Sequence, residues 1–306
     1  MILLVTNSRD FAVEPIVEEL QHSGSEYLRL DLDLLQRDEI SLNPVSATLH
    51  YRMAEGDPSE IRSPRAMLYR APTHLRESSG HRYTPDELLA RHQWAALARS
   101  LMVFRSSTWI NHPSRTYVAE NKPLQLSVAT AVGLAVPETR VANYLPDPLA
   151  TRDAIAVKAL DTFLVRKGNE DLFFYTQRMQ PAEFSDDECQ KMPLIFQEYF
   201  EDKVDVRITV VGETCFVAET SCAIEGDWRQ ADRKARFQRA DAPTAVLKGS
   251  CALMRELGLL YGAIDFVRCG DVYTFLEINP TGEWAWLDEL FGGGIAQALT
   301  AQLLES

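Results

Sequence analysis

The sequence predicts a mixed chain, α/β at its start and α+β beyond, and two observations carry that expectation. In the first third, short apolar runs alternate with stretches of helical period, as in a sheet wrapped by helices. From residue 194 onward, long strands meet at glycine turns, as in antiparallel hairpins. The 306 residues, 46% hydrophobic and 25% charged, suit two or three compact domains.

Residues 1–107 read as the N-terminal α/β domain. Its strands are MILLVT, EYLRLDLDL, SATLHYRM and RAMLYRA, expected in a small parallel sheet, and its helices are EPIVEELQ and PDELLARHQWAALARSL. Thr84 is the expected N-cap of the second helix, with Pro85 in the first turn, where a missing N–H is tolerated. Residues 108–193 form a central α+β portion. It holds TWINHPS, a helix ending near Gly133, extended VPETRVAN, the apolar strand AIAVKAL, and the strand DLFFYTQRM. Residues 194–306 form a C-terminal antiparallel portion: LIFQEYF, VDVRITVVGETCFVAE turning at Gly212-Glu213, and AIDFVRCGDVYTFLEIN turning at Gly270-Asp271. Helices near 243–257 and 293–304 are expected to cover one face of that sheet.

Composition excludes several function classes. The opening MILLVTNSRD has no basic leader and reads as a strand, and no apolar run approaches the roughly 20 residues of a membrane helix. The five cysteines (Cys189, Cys215, Cys222, Cys251, Cys269) are odd in number and form no CxxC pair, so a reduced cytoplasmic protein with no membrane partner is expected. A net charge of −13 repels phosphate backbones, which argues against nucleic acid. All six histidines lie within the first 112 residues without metal-ligand spacing. GxSxG and GxxxxGK[ST] are absent, and Gly292-Gly293-Gly294 lacks the GxGxxG spacing.

The chemistry-bearing residues begin with the last hairpin. Glu277 and Asn279, two apart on a strand, share a face, and Asp265 falls nearly opposite Glu277 on the partner strand. Carboxylates roughly 5 Å apart in an apolar setting repel, and a hard divalent cation with oxygen ligands resolves the conflict. The alternative is a half-exposed sheet with both carboxylates in water. Upstream, Lys158 interrupts the apolar AIAVKAL, and Lys122 precedes a helix; each can hold phosphate or serve as an ordinary snorkelling or surface lysine. The extended Gln197-Glu198-Tyr199-Phe200 offers backbone to a purine edge, or is simply a core strand. Arg207 alternates with Val206 and Ile208 and presents a bidentate fork to a carboxylate or acyl phosphate, or else forms a surface ion pair.

In order, Asn111 with Lys122, Lys158, Gln197-Glu198-Tyr199-Phe200, Asp205-Val206-Arg207, Asp265 and Glu277-Ile278-Asn279-Pro280 resemble the ATP-grasp superfamily over about residues 108–304. The resemblance implies a pre-ATP-grasp domain over residues 1–107, a central subdomain over 108–193 and a C-terminal subdomain over 194–306. It implies that Lys122 and Lys158 hold ATP phosphates and that Gln197, Glu198, Tyr199 and Phe200 meet adenine. Asp205 would stand near the ribose, with Asp265, Glu277 and Asn279 on two Mg²⁺.

A narrower set of residues is similar to the graspetide, or microviridin-type, peptide ligases. These are TWINHPSRTYVAENKPLQLSVATAVGLAVPETRVAN, Asp227-Trp228-Arg229, GAIDF and FLEINPTGEWAWLD. That likeness implies phosphorylation of Asp or Glu side chains of a ribosomally made precursor peptide. Capture by Ser or Thr hydroxyls gives ω-esters, and capture by Lys amines gives ω-amides. It also implies leader recognition and a homodimer, with Arg207 and Arg229 orienting the carboxylate and its acyl phosphate; no residue is assigned as general base. Two departures stand out: DTFLVRKGNED holds only Gly168, and Glu283 occupies a position where the family often has glutamine. The competing readings are a ligase joining an amino acid or short peptide to a carboxylate acceptor, and a non-catalytic nucleotide- or peptide-binding scaffold.

Overall fold

A computed structural model of the chain describes residues 1–54, 56–70, 83–161, 164–167, 170–173, 176–184, 191–221 and 237–305. The N-terminal portion runs β1 (Ile2–Thr6), α1 (Glu14–His22), β2 (Tyr27–Asp31), β3 (Glu39–Asn43), β4 (Thr48–Arg52), β5 (Ser59–Ile61), β6 (Ala66–Tyr69), α2 (Pro85–Ser100) and β7 (Thr108–Ile110). A parallel sheet forms in the order β2-β1-β6-β7. SATLHYRM does not join it; β4 is the middle strand of an antiparallel sheet, β3-β4-β5. The burial pattern supplies the reason. All five β1 residues are buried, as a parallel strand covered on both faces must be, whereas His50 and Arg52 of β4 alternate outward from buried Leu49 and Tyr51. Thr84 caps α2 in a reciprocal box with Glu87.

The central portion comprises α3 (Pro113–Ala119), α4 (Lys122–Ala131), β8 (Thr139–Ala142), α5 (Asp147–Ala150), β9 (Ile155–Lys158), β10 (Leu164–Lys167), β11 (Glu170–Phe173), β12 (Gln177–Met179) and β13 (Leu194–Glu198). DLFFYTQRM is divided between β11, which pairs with β10, and β12. LIFQEYF, grouped by sequence with the C-terminal strands, supplies β13 to an antiparallel sheet β12-β9-β13-β8. Its buried Phe196 packs there with Leu149, Ile155 and Val157.

The C-terminal portion holds β14 (Val204–Val211), β15 (Thr214–Thr220), β16 (Phe237–Arg239), α6 (Thr244–Leu257), β17 (Tyr261–Cys269), β18 (Val272–Asn279), α7 (Ala285–Asp288) and α8 (Gly294–Leu304). The strand order is β16-β15-β14-β17-β18, and the two expected hairpin turns place Gly212 and Gly270 at φ +58° and +59°, where a side chain is strained. The two long helices do not share a face. α6 packs on the side of Ile208, Val210 and Ile264, while α8 packs on the opposite side, at Val211 and Tyr261. Ile2, Leu4, Ile16 and Leu20 of the first portion meet Leu299 and Leu303 of α8 in that same core. One end of this second face is thereby sealed; the other carries the polar residues of the site.

Candidate active site

Three strands set out one transverse row. Arg207 on β14 pairs in register with Asp265 on β17, which pairs with Glu277 on β18. Arg207 donates Nε to Asp265 Oδ1 at 2.6 Å and Nη2 to Oδ2 at 3.1 Å, with both residues buried. Such charge-assisted, bidentate pairing fixes both side chains. Asn279, one pleat beyond Glu277, sits opposite Ala263 on the same face.

This face forms one wall of a cleft of about 720 Å³ whose other wall is the central sheet. Lys158 enters from the end of β9, and Gln197, Glu198, Tyr199 and Phe200 line the rim where β13 leaves its sheet. Asp205, Asp265 and Glu277 line the opposite side, between the apolar surfaces of Val267, Leu276 and Phe237. Size and lining suit a nucleotide base with polar groups at one end. Within β13 Gln197 lies between β8 and β9, in register with Thr139 and Ala156, and its amide donates to Thr139 Oγ1 at 3.0 Å. Tyr199 and Phe200 come after the strand has ended, so they present the backbone that a purine edge can meet. Glu198 accepts from Arg152 Nη1 at 3.4 Å, and Arg178 lies over the Tyr199 ring at 5.4 Å.

A second pocket adjoins the cleft. Glu277 lines both, and the pocket adds Glu120, Lys122, Asp161, Asn279 and Thr281. Lys122 opens α4, behind the Asn121 cap that accepts from Leu124 N, and its Nζ donates to Ala159 O at 3.4 Å. That bond brings Lys122 to the end of β9, where Lys158 stands. Asn111 stands apart from the cleft as a buried brace. Its amide donates to Tyr261 O and Pro280 O at 2.7 and 2.9 Å, and its Oδ1 accepts from Leu260 N and Tyr261 N. Gln125 braces β18 in the same manner through Ile278 N and O. Arg229, with Asp227 and Trp228, lies outside the described residues.

No family model matches the chain, and no protein of curated function matches it. Solved structures do. The macrocyclase MdnC from Microcystis aeruginosa MRC, bound with precursor peptide MdnA, superposes over 100% of this chain and 99% of its own, at TM-score 0.84 and 25% identity. The chain has the ATP-grasp fold of the peptide macrocyclases. A Chryseobacterium gregarium RiPP-associated ATP-grasp ligase, in complex with ADP and a leader and core peptide, shares the fold at TM-score 0.85 and 20% identity, over 99% and 96% of the two chains. ATP-grasp ligase PsnB, complexed with a phosphomimetic variant of minimal precursor, Mg and ADP, does so at TM-score 0.75 and 22% identity, over 99% and 98%.

The ATP-grasp cleft holds one cation that sequence reasoning passed over. Lys203, only 8% exposed, lines the cleft and reaches Asp205 Oδ1 at 2.5 Å. Its signal was its position two residues before Asp205, where the chain runs extended into β14, hence on the same face. The donor set also fits Mg²⁺. Among the described residues no group of three or more His, Cys, Asp or Glu forms a metal cage, whereas two carboxylates and an amide, all oxygen donors, suit an ion that shares its shell with phosphates. A carboxylate offers about four lone-pair sites, so a guanidinium and a divalent ion can share Asp265.

Proposed function

We propose that the chain is an ATP-dependent carboxylate ligase that closes rings within a ribosomally made precursor peptide. The observation that carries this reading is the row Arg207, Asp265, Glu277, in which buried Arg207 anchors Asp265 and the two carboxylates line a two-sheet cleft, in a chain that matches a peptide macrocyclase from end to end.

A carboxylate resists nucleophiles because it is negative and has no leaving group. Transfer of the γ-phosphoryl group of ATP to an Asp or Glu oxygen of the peptide releases ADP and gives an acyl phosphate. A Ser or Thr hydroxyl, or a Lys amine, then attacks the carbonyl carbon. The C–O bond to phosphate breaks, the nucleophile loses its proton, and an ω-ester or ω-amide remains. In this reading Lys122, Lys158 and Lys203 bind the phosphates, with Gln197, Glu198, Tyr199, Phe200 and Asp205 around the nucleoside. Asp265, Glu277 and Asn279 hold two Mg²⁺ ions, which supply charge neutralisation at the phosphates. Arg207, anchored by Asp265, and Arg229 orient the peptide carboxylate and its acyl phosphate. A leader-binding surface, a homodimer and a cytoplasmic setting belong to the same proposal. ADP release, measured with and without a Ser-, Thr-, Lys-, Asp- and Glu-containing precursor peptide, tests it. Peptide-stimulated ADP is expected; AMP formation would contradict it.

A further inference from the structure

A cavity of about 2350 Å³, larger than the nucleotide cleft, opens between the carboxyl ends of β1, β2 and β6 and the segment after Asn279. In parallel sheets the loops at that edge are where ligands are received. Arg9, Arg37, Arg70 and Arg91 line it, against Asp10, Asp33, Glu120 and Glu283. The carboxylates are not equivalent. Asp33 accepts from the Ser8 N–H and hydroxyl at 2.8 and 2.5 Å. Asp10 accepts from Thr6 Oγ1 at 2.7 Å and from Arg70 Nε at 2.5 Å, and its side chain is 7% exposed.

Arg70 is buried and keeps two partners. Asp10 is the fixed one. The other is Glu283, which accepts from Arg70 Nη2 at 2.7 Å while its own side chain is 63% exposed. The backbone beside Glu283 is held in place. Tyr261 donates to Gly282 O at 2.6 Å, and a Cβ on Gly282 would stand 2.7 Å from Ala263 Cβ, so only glycine lets the segment lie this close to β17. Glu283 can thus leave Arg70 by side-chain rotation alone.

The cavity is continuous with the reacting end of the site. It shares Asn279 and Thr281 with the Lys122 pocket, which shares Glu277 with the cleft. Two exposed aromatic side chains, Phe11 and Trp286, also line it. A protein of net charge −13 repels an acidic peptide at long range, so such a peptide needs a local seat of guanidinium groups.

We propose that this cavity receives an acidic segment of the peptide substrate, and that a peptide carboxylate replaces Glu283 on Arg70. The proposal rests on the peptide-ligase reading and adds the place and selectivity of binding. Exchange of one carboxylate for another preserves the charge around a buried guanidinium, whereas an amide in that position does not. Glu283 therefore selects charged over neutral peptides.

The test is fluorescence anisotropy with a short labelled peptide of Asp, Glu, Thr and Leu, and with its Asn/Gln counterpart. The acidic probe is expected to bind at least about tenfold more tightly. Exposed Arg9 and Arg37, changed together to Ala, should lower that preference without unfolding the chain. Glu283→Gln, which removes the internal competitor, should tighten binding of the acidic probe by roughly threefold or more. Equal binding of the two probes, no binding of either, or an unchanged affinity in Glu283→Gln would overturn the proposal. Titration of the same proteins with Mg-ATP separates the two readings. Loss of peptide selectivity with Mg-ATP binding intact sinks only this one, and absence of Mg-ATP binding in the unaltered protein sinks the ligase itself.

Discussion

Arg207 and Asp265 face each other across β14 and β17 and are joined by two hydrogen bonds, in a row that Glu277 completes on β18. This pair ties a candidate substrate cation to a candidate metal ligand. Removing one member leaves an uncompensated buried charge, so Arg207→Ala should lower unfolding stability by about 3–5 kcal/mol. Urea denaturation measures it, and a loss under about 1 kcal/mol would show that the pair is solvated.

Glu277→Gln and Asn279→Ala should each lower ADP release by roughly a hundredfold or more, with an unaltered circular dichroism spectrum. Both side chains lie on the open face of an edge strand and contribute little to packing. Wild-type turnover in both variants would remove the metal assignment.

Lys158→Ala should weaken Mg-ATP binding, while Lys191→Ala, an exposed lysine away from the cleft, should not. Calorimetric titration distinguishes them. Matching affinities would make Lys158 a strand-end lysine and nothing more.

Asn111→Ala removes four buried hydrogen bonds to the backbone around Tyr261 and Pro280 and should cost about 2–4 kcal/mol of stability. Thermal denaturation reports the loss. An unchanged midpoint would mean that water replaces the amide.

The opposition of Asp265 and Glu277 was legible in sequence only to within one residue, since the register counted from the Gly270-Asp271 turn sets Asp265 opposite Leu276. The β-bulge between Asp265 and Phe266 adds the one residue that brings Glu277 opposite Asp265, and nothing in the sequence marked it. The placement of α8 was not legible. An apolar helix carries no signal for which face it will cover, and the choice depends on Ile2 and Leu4 of the distant first sheet. Arg70 was equally hidden: it reads as the end of a strand, and its partner Glu283 is 213 positions away.

Cys215 offers a pH test. Burial, with Cys251 Sγ at 3.6 Å, pushes its thiol up to about 12. Only the thiolate reacts, so iodoacetamide at pH 8 should leave Cys215 unmodified, with a rate that rises about tenfold per pH unit above that. Rapid alkylation at pH 8, located by peptide mapping, would contradict the half-buried placement of Cys215 against Cys251.

The most direct test of the ligase reading is mass spectrometry of the precursor peptide, its carboxylates labelled with ¹⁸O, after reaction with Mg-ATP and this protein. Each bond formed should lighten the peptide by one labelled water, about 20 Da, deliver one ¹⁸O to inorganic phosphate and release one ADP, as acyl-phosphate condensation requires. A mass gain from an added amino acid, unlabelled phosphate or AMP would contradict it.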